Sequence, residues 1–214
     1  EFRTTQKVCE ELDKLGIPYR KTDPTGVVAE IVGTKGPSDH RVLIRADMDA
    51  LTIDEETGLP FASTNGLMHA CGHDTHTAML VGAAIVLNQI RDQFAGTARL
   101  IFQPAEEIGK GADLMVAQGA ADGVDMGMAI HISADGPTGS IASIAGPACA
   151  SADRFFIKVK GRDCHGAQPN AGADSIVAAP AIVMGLQTMV SREFNPMDPV
   201  VVTVGAIHAG SRFN

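Results

Sequence analysis

Three short segments consist mostly of apolar residues, and this pattern constrains the fold more than any other feature of the sequence. They span residues 41–46 (RVLIRA), 97–104 (TARLIFQP) and 126–132 (MGMAIHI), and a further β-branched run covers residues 26–32. A strand that is apolar on both sides is covered on both faces, which is typical of the parallel sheets of α/β proteins. The sequence therefore predicts an α/β domain with a mixed, mostly parallel sheet flanked by helices.

Helices are predicted between these strands. Residues 1–15 carry apolar side chains at helical spacing, and Gly16 is a natural helix end. A longer helix is predicted over residues 74–94 with Asp74 as its N-cap, and a short helix over residues 111–119. The buried stripe of the longer helix is predicted at Met79, Ala83, Val86 and Ile90.

The sequence changes character near residue 150. Residues 154–160 alternate apolar with charged side chains, as in a half-solvated antiparallel strand. A helix over residues 174–192, in which Pro180 predicts a kink, and a strand over residues 200–207 follow. The predicted domains are residues 1–150, an α/β domain, and residues 153–214, an incomplete α+β domain.

Composition argues against several function classes. There are 17 Lys and Arg against 25 Asp and Glu, so the net charge is −8 and neither nucleic acid nor an anionic membrane is an expected partner. No apolar run approaches the roughly 18 residues that span a bilayer, and no leader precedes the first helix, so a cytoplasmic location is expected. Because the chain starts at Glu1 and stops at Asn214 within a strand-like region, we expect a fragment of a longer protein.

The densest group of reactive side chains is the segment HACGHDTH, residues 69–76. It places three histidines, a cysteine and an aspartate in a loop just before the long helix. Cys71 and His73 alternate along an extended segment, so both side chains can reach one metal ion. Surface histidines beside a buried thiol are the alternative explanation, which a cluster of this density disfavours.

Carboxylates and another histidine follow the other predicted strands. Glu106 and Glu107 come after the strand that ends near residue 104, and as neighbours in an extended segment they point in opposite directions. One can therefore bind a metal while the other faces a water or a substrate. Asp47 and Asp49 follow residues 41–46, where either one could bind a metal or orient a ligand histidine, or the pair could simply form a turn.

His131 lies near the end of the third apolar strand, where a core histidine would be the commoner explanation. The carboxyl ends of parallel strands meet at one edge of a sheet, so all four groups are expected to converge there. A mixture of Cys, His and Glu ligands suits zinc, cobalt or manganese, and the number of ligands is compatible with two ions. Serine-hydrolase, dinucleotide, phosphate-loop and HExxH motifs are absent from the sequence.

Five motifs in this order, RADMDAL, MHACGHDTHTAML, FQPAEE, the strand histidine and GRDCHGAQPNAGADSI, resemble a known family. It is the group of metal-dependent amidohydrolases that includes hippurate hydrolase, N-acyl-amino-acid amidohydrolase and auxin–amino-acid conjugate hydrolase. The resemblance covers essentially the whole chain. It implies a catalytic α/β domain with two divalent ions (Mn, Zn or Co) and an inserted α+β, ferredoxin-like lid domain that mediates dimerisation.

Position by position, the resemblance implies specific roles for five residues. The metal ligands would be Cys71, His73, Glu107 and His131, with Cys71 shared by the two ions. Glu106 would be the general base, which takes a proton from the attacking water and passes it to the leaving amine. A further ligand histidine would lie beyond residue 214.

The resemblance also assigns roles outside the ligand set. Asp49 would belong to the catalytic group as a residue that contacts the metal ligands and does not itself bind an ion. His165 would reach the active site of the partner subunit and stabilise the oxyanion, and Asn214 would contact the substrate. The chain departs from the family pattern at Thr52, Thr75, Pro180 and Ala209, none of which is a ligand.

The resulting interpretation is a hydrolase of N-acyl amino acids or similar small amides. A dipeptidase or carboxypeptidase of the same superfamily would use the same ligands and differ in requiring a free α-amino group. A non-catalytic metal-binding relative would have no use for an unliganded carboxylate such as Glu106. A metal-storage or sensor module would expose its ligands without a substrate pocket, which the lid-like sequence disfavours.

Overall fold

The computed structural model describes all 214 residues, which divide into two units, Glu1–Thr138 and Gly139–Asn214. The second unit contains the helix α4, a 3₁₀ turn before it at Pro169–Ala171 and a π-helical turn after it at Met189–Glu193. The helices and strands are, in chain order, α1 (Phe2–Leu15), β1 (Tyr19–Lys21), β2 (Val27–Val32), β3 (Arg41–Asp47), α2 (His73–Gln89), β4 (Thr97–Gln103), α3 (Gly111–Ala117), β5 (Met126–Ala129) and α4 (Ser175–Thr188).

The sheet of the first unit is mixed, with the strand order β1-β2-β4-β3-β5. β2 runs antiparallel to β1 and β4, whereas β3 runs parallel to β4 and β5. The predicted mixed α/β architecture is therefore confirmed, with parallel pairing confined to three strands. The carboxyl ends of β3, β4 and β5 meet at one edge, where Asp47 lies opposite Gln103 in the ladder.

An apolar layer covers each face of the sheet. On one face α1 and α2 pack against it through Leu12, Leu80 and Phe102, which are 0–3% exposed. On the other face Met115 of α3 packs against Ile101 of β4. Alternate residues of β4 thus enter opposite layers, which explains why the consecutive residues Leu100, Ile101 and Phe102 are all apolar.

The first helix follows its prediction. Val8 and Leu12 are buried on one face, and Gly16 ends the helix in the left-handed conformation at φ 64°. The short strand Tyr19–Lys21 was not predicted, because its three residues are mostly exposed and carry no apolar alternation. It forms only through its pairing with β2.

The long helix α2 differs from its prediction at both ends. It begins at His73, so Asp74 lies within the first turn and Gly72, at φ 83°, occupies the N-cap position. It ends at Gln89 rather than at residue 94. The N-cap prediction was wrong because Asp74 is a plausible cap by residue type alone, whereas the left-handed backbone at Gly72 sets the actual start.

The predicted buried stripe of α2 was also wrong. Met79 and Val86 are 43% and 54% exposed, whereas the buried apolar residues are Leu80 and Ala84. This helix carries apolar residues on every side, so spacing alone does not single out the buried face. Its rotation instead brings the two histidines of its first turn inward.

The strand β5 is shorter and more exposed than predicted. It ends at Ala129 rather than at residue 132, and Met126 and Met128 are 65% and 51% exposed. The prediction of a buried strand was wrong because β5 lies at the sheet edge and pairs only with β3. His131 therefore lies two residues beyond the end of the strand.

The second unit contains no strand. Residues 154–160 and 200–207, both predicted as strands, find no partner for a hydrogen-bonded ladder, and Phe156 is 89% exposed. Asp174 caps α4 by accepting hydrogen bonds from two backbone N–H groups, and the helix continues through Pro180. By length and composition alone, Ser175–Glu193 is apolar enough to cross a membrane, which differs from the expectation that no apolar run approaches this length; a single such helix is weak evidence of a membrane span. The α+β lid and the boundary near residue 150 stay predictions.

Candidate metal centre

His73 is the first residue of α2 and is 1% exposed. Its Nδ1 lies 3.0 Å from Oδ1 of Asp49. An ionised carboxylate can only accept a hydrogen bond, so Nδ1 carries the proton and Nε2 presents its lone pair. That Nε2 is buried and has no hydrogen-bond partner. A histidine held by a carboxylate through one nitrogen and free at the other has the arrangement of a metal ligand.

Asp49 also fixes the two glutamates that follow β4. Its Oδ2 accepts a hydrogen bond of 3.0 Å from the backbone N–H of Glu107. Oε1 of Glu107 is buried without a hydrogen-bond partner and lies 3.9 Å from Nε2 of His73. Oε2 of Glu106 lies at the same distance from that nitrogen, but the Glu106 side chain is 42% exposed against 23% for Glu107. The two carboxylates thus face one nitrogen from unequally buried positions.

Cys71 and His131 meet across the same cluster. Sγ of Cys71 lies 3.4 Å from Nε2 of His131, and Nδ1 of His131 donates a hydrogen bond of 2.6 Å to the carbonyl of Ile132. The proton of the ring is therefore on Nδ1, and the lone pair of Nε2 faces the thiol. Burial raises the pKa of Cys71, and the carboxylates of Glu107 and Glu106 raise it further.

A second carboxylate–histidine pair lies beneath this cluster, formed by Asp47 at the end of β3 and His76 in the first turn of α2. Nδ1 of His76 lies 2.5 Å from Oδ1 of Asp47, and Nη1 of Arg45 lies 2.7 Å from Oδ2. Burial alone would raise the pKa of Asp47, but the hydrogen bond to His76 and the charge of Arg45 outweigh it and keep the pKa below its usual value.

The sequence analysis gave His76 no role. Its side chain is 2% exposed, and its Nε2 accepts a hydrogen bond of 3.0 Å from the backbone N–H of Ile132. The available signal was its spacing, because residues three apart on a helix share a face and His76 follows His73 by three. Asp47, which the sequence left open beside Asp49, is its partner.

The chemistry of these donors fits divalent ions. Thiolate, imidazole and carboxylate groups together suit borderline transition metals, and buried acceptors without partners are costly unless a cation or donor satisfies them. His73 belongs to each of three groups whose ligand atoms lie within 4.8 Å of one another. The groups are Cys71, His73 and His131; His73, Glu106 and Glu107; and Asp47, His73 and His76.

The two other predicted site residues lie in the second unit. His165 is exposed, and its Nδ1 accepts a hydrogen bond of 3.1 Å from the backbone N–H of Ala167. Asn214 is close by, since a Cβ added to Gly166 would lie 3.2 Å from its backbone oxygen. The structure therefore brings these two residues into one neighbourhood of the second unit.

Comparison with known proteins identifies relatives of this chain. The N-acetyl-L-cysteine deacetylase of Bacillus subtilis is 44% identical over the whole chain, which covers 51% of that protein. Thermostable carboxypeptidase 1 of Saccharolobus solfataricus is 42% identical over the whole chain, which covers 55% of it. The chain thus spans about half the length of the curated relatives it matches.

A solved structure supports the same relationship. The YXEP protein of Bacillus subtilis, a dinuclear metal-binding peptidase of the M20 family, matches with a TM-score of 0.59 and 46% identity. That match covers 62% of this chain and 37% of the other. The family model described as Peptidase family M20/M25/M40 matches residues 43–213, which contain every strand-end residue discussed above. On the strength of that match, the chain belongs to Peptidase family M20/M25/M40.

Proposed function

We propose that the protein hydrolyses the amide bond of N-acyl amino acids or similar small amide conjugates with the help of two divalent metal ions. The observation that carries the proposal is the pair of buried, partnerless acceptor atoms, Nε2 of His73 and Oε1 of Glu107, which face each other at 3.9 Å. The deacetylase relative supports an N-acyl substrate, and the dinuclear solved relative supports two ions.

Cys71, His73, Glu107 and His131 would hold the ions, whether Mn, Zn or Co. Bound ions supply Lewis-acid activation of the amide carbonyl and of the attacking water. His73 and His131 each carry their proton on Nδ1 and keep Nε2 for this purpose. Asp49 holds His73 through Nδ1 and Glu107 through its backbone N–H, so it keeps two ligands in one orientation.

Glu106 would act as the general base. Its carboxylate lies beside the ligand cluster but is more exposed than that of Glu107, as a proton carrier in contact with water and substrate requires. It would take a proton from the water whose oxygen attacks the carbonyl carbon. It would then deliver that proton to the amine nitrogen as the C–N bond breaks, which releases a carboxylic acid and an amino acid.

A substrate profile of the full-length protein tests this proposal. Acetyl-, benzoyl- and indoleacetyl-amino acids would be offered with Mn, Zn or Co, beside dipeptides of the same amino acids. We expect hydrolysis of the N-acyl compounds that stops on chelation and returns with metal. Turnover of dipeptides alone would contradict the proposal and favour a dipeptidase.

A carboxypeptidase is the second candidate, because the thermostable carboxypeptidase from Saccharolobus solfataricus is nearly as similar as the deacetylase. The ligand cluster serves either substrate equally. Peptides with blocked N-termini and a free C-terminal residue distinguish the two activities. A carboxypeptidase would cleave long blocked peptides, whereas an N-acyl-amino-acid hydrolase would prefer a single residue.

We further propose that Asn214 contacts the substrate and that His165 reaches the substrate from the partner subunit of a homodimer in the cytoplasm. This rests on the motif around His165 and on the proximity of Gly166 to Asn214. If His165 completes the partner's site, mixing His165→Ala with Glu106→Gln full-length proteins should restore some activity. Absence of activity after demonstrated subunit exchange would contradict the cross-subunit role.

A further inference from the structure

Both ring nitrogens of His76 are hydrogen-bonded to groups outside the proposed ligand set. Nε2 accepts from the backbone N–H of Ile132, so the ring proton is on Nδ1 and is donated to Asp47. His73 and His131 also carry their protons on Nδ1, but Nε2 of His73 has no hydrogen-bond partner and Nε2 of His131 faces the thiol of Cys71. In this arrangement His76 has no lone pair left for an ion.

The backbone that His76 holds carries a proposed ligand. β5 ends at Ala129, so residues 130–132 lie outside the sheet ladder. The segment is instead tied to α2, because the N–H of Ile132 bonds to His76. The side chain of Ile132 also packs against the turn before α2, since a Cβ added to Gly72 would overlap its Cδ1.

Asp47 in turn fixes the ring of His76. It lies at the end of β3, is 1% exposed, and is bonded to His76 through Oδ1 while Oδ2 pairs with Arg45. A rigid strand end therefore determines the orientation of His76, and His76 determines the position of the backbone next to His131. These contacts therefore connect the end of β3 to His131, which lies beyond the end of the edge strand β5.

We infer that His76 is a positioning residue for the metal centre, which holds His131 against Cys71 through the backbone of Ile132 and does not itself bind an ion. The inference rests on the proposed function, because it assumes that His131 is a ligand. Residues that orient metal ligands typically contribute about 10- to 100-fold to metal affinity. Loss of the Ile132 contact should therefore weaken the ion bound through Cys71 and His131.

Two amide variants of the full-length protein separate the two hydrogen bonds of His76. His76→Asn places its NH₂ group near the position of Nδ1 and keeps the bond to Asp47, but is too short to reach Ile132. His76→Gln places its oxygen near the position of Nε2 and can accept from Ile132. His40→Asn is the matched control, because that histidine side chain is 85% exposed at the other end of β3.

Metal affinity is measured by competition titration with a chelator, and the visible spectrum of the cobalt-loaded protein reports the thiolate site. We expect His76→Asn to weaken one of the two ions by about 10- to 100-fold and to change the cobalt spectrum. His76→Gln should recover most of that loss, and His40→Asn should match the wild type.

Unchanged affinity and spectrum in His76→Asn would overturn the inference. An equal loss in His76→Gln and His76→Asn would also overturn it, because an acceptor for the N–H of Ile132 would then not restore the ion. A loss in His76→Gln alone would overturn it too, because His76 would then act only through Asp47. A wild-type protein that binds no ion would overturn the proposed function and this inference with it. Normal wild-type binding together with an unaffected His76→Asn variant would overturn this inference alone.

Discussion

The different roles proposed for Glu106 and Glu107 give the sharpest test of the proposed chemistry. The same substitution, Glu to Gln, should lower turnover at Glu106 and metal affinity at Glu107. Glu106→Gln removes a negative charge and keeps the shape of the side chain. The side chain is 42% exposed, and its Oε2 lies 3.9 Å from Nε2 of His73. The free energy of unfolding should therefore change by no more than about 0.5 kcal/mol, as for other exposed positions.

The effect on catalysis should be far larger. Removing a general base typically lowers the rate by about 10²–10⁴-fold. At about 1.4 kcal/mol for each factor of ten, that raises the activation free energy by about 3–5 kcal/mol. Because the same carboxylate returns the proton to the leaving amine, the loss should lie toward the upper end. Metal content should stay at the wild-type value.

Glu107→Gln is the matched variant. Its Oε1 is buried without a hydrogen-bond partner, and the bond that Asp49 accepts comes from the backbone, which the substitution leaves intact. We expect metal affinity to fall, with activity restored in part by excess metal. The assay is steady-state hydrolysis of an N-acyl amino acid, with metal content measured on the same samples. Near-normal turnover of metal-loaded Glu106→Gln, or metal loss from it alone, would refute the assignment.

Three more predictions concern Cys71, Ala105 and Phe102. Burial and the carboxylates of Glu107 and Glu106 raise the pKa of Cys71, so metal binding must displace the thiol proton. The Kd for the metal ion should therefore fall by about tenfold per pH unit between pH 7 and 8.5, and a Kd that does not change with pH would contradict this. Ala105, at φ 51°, should gain about 0.5–1 kcal/mol of unfolding free energy on substitution by Gly; thermal unfolding that shows a loss would contradict the strain. Phe102→Ala should cost about 3–5 kcal/mol in denaturant unfolding, because the ring is fully buried, and a loss below about 1 kcal/mol would contradict its place in the core.

The strands that position the site could be predicted from the sequence because central strands are apolar on both faces. β3 and β4 form close to the predicted bounds and pair in parallel. The buried face of α2 could not be predicted, because a helix with apolar residues all round can turn any side inward. The strand predicted over residues 154–160 of the second unit was wrong for another reason. Alternation of apolar and charged residues produces a strand only if a neighbouring strand completes its hydrogen bonds.

The candidate ligands could be identified from residue type and spacing, but their connections could not. Cys71 and His73 belong to one short motif, so their proximity is local. The contact between His76 and Ile132 joins residues 56 positions apart and depends on where β5 ends. Which nitrogen of each histidine is free follows from such contacts, and the sequence contains no record of them.

Parallel pairing explains why the centre forms at this edge of the sheet. β3, β4 and β5 deliver Asp47 and Asp49, the two glutamates and His131 from their carboxyl ends, whereas β2 runs the opposite way to β4 and delivers nothing there. Four carboxylates thus surround the cluster, and Arg45 is the cation paired with Asp47. The start of α2 adds a positive dipole end, which is a fraction of one charge. The remaining negative charge is what a divalent cation would balance, so the same topology that gathers the ligands also creates the electrostatic demand for the ions.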